Sequence, residues 1–122
     1  MFCFIRMKRY NTDILHANDA MLPISFEFYP PKTDEQRAQL DRSVQRLKAH
    51  SPQYMSVTFG AGGSTMSHTP ETVQRLRSEH GVAGVPHLTC VGGNREEIRS
   101  LLKLYRALGC NRIVALRGDT PS

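Results

Sequence analysis

Ile24-Ser25-Phe26-Glu27-Phe28-Tyr29-Pro30-Pro31 alternates its side chains with the period of a β-strand and then stops on two prolines, which cannot donate to a sheet ladder. One carboxylate stands inside this aromatic segment. Flanked by Phe26 and Phe28, it is expected to be poorly solvated, which favours holding a proton near neutral pH, so Glu27 is the first candidate for acid chemistry. Taken alone, a strand glutamate is more often a polar-face residue meeting water or a lysine than a catalytic group. The weight comes from what the rest of the chain places beside it.

Working outward, three further apolar segments near 54–60, 85–91 and 112–117 follow at intervals of roughly 27–31 residues, and a helical pattern follows each of the first three. The order β-α-β-α-β-α-β predicts parallel strands joined by helical crossovers. Thr33 with Gln36 forms a capping box for a helix to about Ala49 that turns Leu40, Val44 and Leu47 inward. Thr69 as N-cap and Pro70 at the first helical position open a second helix, with Val73 and Leu76 on its apolar side and Gly81 at its end. Asn94 with Glu97 opens a third, where Ile98, Leu101, Leu102, Tyr105 and Leu108 form a core stripe and Gly109 terminates it. Residues 1–22 are expected to form an irregular N-terminal segment, and 23–122 the folded domain of four strands.

Strand alternation sorts each segment into two faces. Ser25 and Glu27 oppose Ile24, Phe26 and Phe28; Ser56 and Thr58 oppose Met55, Val57 and Phe59; His87 and Thr89 oppose Leu88 and Cys90; Ala115 and Arg117 oppose Val114 and Leu116. A doubly wound sheet would be apolar on both faces. A barrel instead meets helices outside and keeps polar groups inside near its mouth. Glu27, Thr58, His87, Thr89 and Arg117 lie towards the C-terminal ends of their strands, where (β/α)8 barrels build active sites. Such a barrel needs eight units and about 250 residues, so the expected fold is α/β, the N-terminal half (about four βα units) of a (β/α)8 TIM barrel, and the chain reads as a truncated piece of a longer enzyme.

Composition narrows the function classes. At 39% hydrophobic and 22% charged residues the chain is globular rather than disordered. No apolar run is long enough for a bilayer span, and the start has no signal cleavage pattern, so a cytoplasmic protein is expected, with no membrane partner. Cys3, Cys90 and Cys110 are odd in number and widely spaced, which predicts reduced, small apolar residues and neither a disulfide framework nor a zinc site. The net charge of +5 is spread along helices, and no nucleic-acid-binding motif accompanies it, so no nucleic acid is expected. Gly60-Ala61-Gly62-Gly63 is a glycine-rich turn in which Thr65 breaks the dinucleotide fingerprint. A lone His87 is more often a hydrogen-bonded core residue than a metal ligand, and no metal is expected. His50, His68 and His80 read as helix-end or loop residues.

Four stretches carry a resemblance: Ser25-Phe26-Glu27-Phe28-Tyr29-Pro30-Pro31-Lys32-Thr33, Ser56-Val57-Thr58-Phe59-Gly60-Ala61-Gly62-Gly63-Ser64-Thr65, His87-Leu88-Thr89-Cys90-Val91 and Ile113-Val114-Ala115-Leu116-Arg117-Gly118-Asp119. In this order and spacing the chain closely resembles the methylenetetrahydrofolate reductase family from about residue 24 onward. Phe59 stands where a tyrosine is common there, and Tyr29 where a phenylalanine is usual.

The resemblance implies a flavoprotein barrel that reduces 5,10-methylenetetrahydrofolate to 5-methyltetrahydrofolate, with FAD as cofactor and NADH or NADPH as electron donor, feeding methionine synthesis. It implies that Glu27 is the general acid that protonates N10 of the folate substrate. Asp119 would lie near flavin and pterin, stabilising positive charge. Thr58, Phe59, Ala61, His87, Arg117, Gly118 and Asp119 would contact FAD, and Glu27 and Asp119 the folate. A homo-oligomer is expected for the full-length enzyme, whereas the isolated 122-residue chain is expected not to bind FAD tightly. The competing expectation is an inactive half-barrel, or one that acts only by assembling with another chain.

Overall fold

The computed structural model describes residues 4–5, 23–59, 68–91 and 93–118. Along the chain these give β1 (Phe4–Ile5), β2 (Ser25–Phe28), α1 (Asp34–Leu47) with a short 3-10 turn at Lys48–His50, β3 (Tyr54–Val57), α2 (His68–Ser78), β4 (Gly84–Thr89), α3 (Arg95–Ala107) and β5 (Val114–Leu116). The fold is α/β with four parallel strands. The strand order is β1-β2-β3-β4-β5; β2 to β5 run parallel, and β1 lies antiparallel against β2, pairing Phe4 with Glu27. That two-residue strand lies inside the segment expected to be irregular. Two residues carry too little alternation to be read as a strand.

The helix starts follow the capping chemistry, with two differences. Asn94 and Glu97 close a full capping box on α3, each side chain accepting from the other residue's backbone N–H. Thr33 accepts from the Gln36 N–H, but the Gln36 side chain reaches one residue further back, to the Lys32 N–H at 2.8 Å. Helix α2 begins at His68, so Thr69 lies inside its first turn rather than capping it. The Thr69 hydroxyl donates to the Thr58 carbonyl at 2.9 Å, tying the start of α2 to the end of β3.

Register fixes the two faces. Phe26 pairs with Met55 and Met55 with Gly84; Phe28 pairs with Val57 and Val57 with Pro86, so these residues share one side of the sheet. On that side Phe26, Phe28, Met55 and Val57 pack with Leu40 and Val44 of α1 and Val73 and Leu76 of α2. Leu88, two residues beyond Pro86, packs with Leu101 and Tyr105 of α3. All three helices therefore cover the same face. Consecutive parallel crossovers of one hand place their helices this way when the strand order never reverses. Leu102 was expected in the α3 stripe, but one residue from Leu101 is about 100° around a helix, and it is exposed.

Three contacts bind the helices to each other and to the sheet. A Cβ on Gly84 would lie 2.9 Å from the Val73 carbonyl oxygen, so its bare backbone lets α2 press directly on β4. Arg77 of α2 donates to the carbonyls of Leu108 at 3.0 Å and Gly109 at 2.6 Å, meeting the unpaired acceptors and negative dipole end of α3. Between α1 and α2, Arg75 grips both oxygens of Asp41, and the buried His80 ring lies 2.7 Å from the same carboxylate. His80, read from sequence as a helix-end or loop residue, is thus part of the interhelical joint. Cys110 packs against both apolar clusters as expected, whereas Cys90 is exposed.

Candidate active site

No helix covers the opposite sheet face among the described residues. Glu27 pairs with Ser56 and Ser56 with Val85, which places Ser25, Glu27, Tyr54, Ser56, Val85 and His87 on this side. They line a cavity of about 470 Å³ together with Arg112, Val114 and Leu116. Within it, the His87 Nε2 lies 3.3 Å from the Glu27 Oε2; the imidazole side chain is 6% exposed and the carboxylate 26%. This is an ion-pair separation, longer than an aligned charge-assisted hydrogen bond. The pair is built by strand geometry: two strands apart, with His87 one alternation further along the sheet than Glu27.

At the other end of the cavity the Arg112 guanidinium lies over the Tyr54 ring, 5.5 Å from its centroid, a cation–π distance. An acid–imidazole pair and a fixed cation thus occupy opposite ends of one polar trough. Such a trough can orient a polar ring system, exchange a proton with it from Glu27, and oppose negative charge with Arg112.

The solvation argument for Glu27 needs correction. Phe26 and Phe28 point to the helices, so neither desolvates the carboxylate between them in sequence. What distinguishes Glu27 is the His87 contact and its place in the cavity.

The faces of β5 are also reversed from expectation. His87 pairs with Val114 and Thr89 with Leu116, while Leu88 pairs with Ala115. Val114 and Leu116 therefore face the cavity, and Ala115 shares the helix side. Arg117 follows in the alternation of Ala115, beyond the strand end and exposed, so it does not converge with Glu27 and His87 as expected from sequence.

Thr58 continues β3, its N–H bonding the Phe28 carbonyl at 2.9 Å. Its hydroxyl is buried, with no hydrogen-bond partner among the described residues. Phe59 alternates to the helix side and packs against the cluster of Leu88, Leu101 and Tyr105. Gly118 has φ +81, and a Cβ there would collide with the Thr89 hydroxyl and with Val91, so packing and backbone both require glycine. Ala61 and Asp119 lie outside the described residues. Among the described residues no cluster of three or more metal-ligating side chains occurs, and no helix is long and apolar enough to cross a membrane.

Tyr54 and Arg112 were not singled out from the sequence as site residues. Arg112 and Arg117 have opposite parity on a segment whose intervening Ile113, Val114, Ala115 and Leu116 are all apolar or small. Alternation therefore could not choose between them; the pairing of His87 with Val114 does.

Fold and site together define an α/β protein with an acid–imidazole pair on the helix-free side of a parallel sheet. The family model described as methylenetetrahydrofolate reductase matches residues 13–122. The chain belongs to the methylenetetrahydrofolate reductase family. It is 39% identical over 98 residues to 5,10-methylenetetrahydrofolate reductase of Salmonella typhimurium, covering 80% of this chain and 33% of that protein. The Buchnera aphidicola protein of the same name is 37% identical over 121 residues, covering 95% of this chain and 41% of that protein. Methylenetetrahydrofolate reductase (NADH) 1 of Zea mays is 38% identical over 105 residues, covering 86% and 18%. The chain thus spans from 18% to 41% of the length of these relatives.

Proposed function

We propose that the chain forms the N-terminal half of a (β/α)8 barrel that reduces 5,10-methylenetetrahydrofolate to 5-methyltetrahydrofolate, with FAD as cofactor and NADH or NADPH as electron donor. The Glu27–His87 contact on the helix-free face carries this reading. A sheet that curls into a barrel leaves its inner face to side chains and ligand while helices cover the outside, and the one-sided helix layer fits that arrangement. β5 supports it too: Ile113 and Leu116 are exposed beside a strand edge with no further partner among the described residues. A parallel strand with such an edge calls for a neighbour, from further βα units or from another chain.

The residues present fit a flavin. The buried Thr58 hydroxyl lacks a partner among the described residues, and a polar heteroaromatic ring edge supplies one. Thr58 and His87 would meet the ring system, Phe59 would offer its backbone because its ring lies on the helix side, and Ala61, Arg117, Gly118 and Asp119 would complete the set that the family resemblance implies. When bound, the flavin supplies the hydride. Glu27 gives its proton to N10 of the folate: the O–H bond breaks, an N–H bond forms, and the five-membered ring opens to an iminium. The Asp119 carboxylate opposes the positive charge of that cation. A cytoplasmic homo-oligomer serving one-carbon metabolism and methionine synthesis belongs to the same reading.

The test is product identification. The chain completed by the remaining βα units, purified and supplied with FAD, methylenetetrahydrofolate and either NADH or NADPH, is expected to form 5-methyltetrahydrofolate, detected by mass spectrometry, and the faster donor identifies the physiological one. Pyridine nucleotide oxidation with no 5-methyltetrahydrofolate would contradict the reading.

A further inference from the structure

The contact between Glu27 and His87 has a consequence for the acid itself, and it rests on the reading of Glu27 as proton donor. The carboxylate is reached from a strand two positions away in the sheet by a ring that is almost wholly buried. A buried imidazole has few rotamers open to it, so its nitrogen is a fixed point against which a flexible glutamate is held. We infer that His87 is the positioning residue for Glu27: it holds the carboxylate towards the cavity and, when protonated, opposes the anion left after Glu27 has given up its proton.

The other ionisable groups of the cavity do not duplicate this role. Tyr54 of β3 and Arg112, which precedes β5, face the same space, but the guanidinium lies over the Tyr54 ring at the far end. Ser56, beside Glu27 in register, carries no charge, and its hydroxyl points to the Phe26 carbonyl at 3.5 Å. The imidazole is the cation source that the described residues place within ion-pair distance of Glu27. At 3.3 Å the contact is loose, as catalytic contacts are before substrate tightens them.

The test follows the ring directly. In the chain labelled with 15N at histidine, the His87 ring signals are recorded across pH 4 to 9 (about the range in which imidazoles titrate) for wild type and Glu27→Gln. Removal of the carboxylate is expected to move the midpoint of the His87 titration down by about one pH unit. An unchanged midpoint in a folded variant would overturn the inference. A second measurement stands if Glu27→Gln does not fold. In protein that performs the reduction, His87→Gln is expected to lower kcat for folate reduction roughly tenfold and to flatten its pH profile, a larger loss than it causes in flavin reduction by pyridine nucleotide. Equal loss of both half-reactions with an unaltered pH profile would assign His87 a structural role and overturn the inference. The two readings fail separately: coupled titration without 5-methyltetrahydrofolate formation removes the reaction and keeps the pair, whereas product formation with uncoupled titration removes the pair and keeps the reaction.

Discussion

The two faces of the sheet are made by the same strands and follow opposite rules. On the helix side Phe28, Met55, Val57, Val73 and Leu76 are fully buried, and each apolar side chain meets another from a different element. On the cavity side the strands present Ser25, Glu27, Ser56 and His87, held in place by ladder register and by contacts between side chains. Alternation along one strand thus assigns the packed core to one set of residues and the polar lining of the cavity to the other. The difference teaches that Glu27 gains its place from the packing of its neighbours Phe26 and Phe28, which point away from it.

Substitutions on the two faces separate these roles, and the largest effect is expected in the core. Phe28→Ala removes a buried ring between β2 and α1 and is expected to cost about 3–5 kcal/mol in chemical denaturation. Glu27→Gln, on the adjacent residue, is expected to stay within about 0.5 kcal/mol of wild type. Comparable losses would mean that Glu27 is part of the scaffold. Gly84→Ala comes next: its Cβ meets the Val73 carbonyl oxygen and the Leu76 Cβ, and a loss of about 1–3 kcal/mol is expected. A neutral result would show that α2 does not press on β4 as closely as described.

The joint between α1 and α2 sharpens the comparison through pH. The Arg75 guanidinium, aided by His80, holds the Asp41 carboxyl well below its usual range, at about 2, against the opposing effect of burial. A depressed carboxyl contributes stability that is fully present above its unfolded pKa of 3.8 and lost as pH falls towards 2. Because the carboxylate is partly exposed, solvent screening limits the contribution to about 1–2 kcal/mol. Asp41→Asn is expected to cost that amount at neutral pH and to match wild type near pH 2, read from denaturation midpoints in a pH series. A cost that persists at pH 2 would assign the effect to packing.

A smaller effect than at the Asp41 joint is expected at Tyr105. Its hydroxyl is buried without a hydrogen-bond partner among the described residues, and burial raises its pKa well above the ordinary tyrosine range. Removing an unsatisfied buried donor removes its desolvation cost, so Tyr105→Phe is expected to be neutral or up to about 1 kcal/mol more stable. Destabilisation beyond that would reveal a partner for the hydroxyl.

Much of this was legible in the sequence, for reasons that differ by element. The four parallel strands followed from apolar segments at near-constant spacing, and the α3 start from Asn94 and Glu97, because capping is a local interaction of residues three apart. Glu27 and His87 could be placed on one face because Phe26, Phe28 and Leu88 mark the other. β5 had no such marker, and the side of Arg112 against Arg117 waited on the register with β4. Thr69 looked like a cap because it precedes a proline, yet its hydroxyl serves the Thr58 carbonyl across space. Its partner is eleven residues away, beyond what a local pattern encodes. The bond between His80 and Asp41 escaped for the same reason, since it joins two helices.

The central claim is that the helix-free face performs acid chemistry through Glu27. It is tested most directly by stopped-flow measurement of the two half-reactions in Glu27→Gln. Flavin reduction by pyridine nucleotide should survive within about threefold, while reoxidation by methylenetetrahydrofolate should fall by at least about 100-fold, the scale of a lost general acid. Equal loss in both halves, or reoxidation at the wild-type rate, would contradict it.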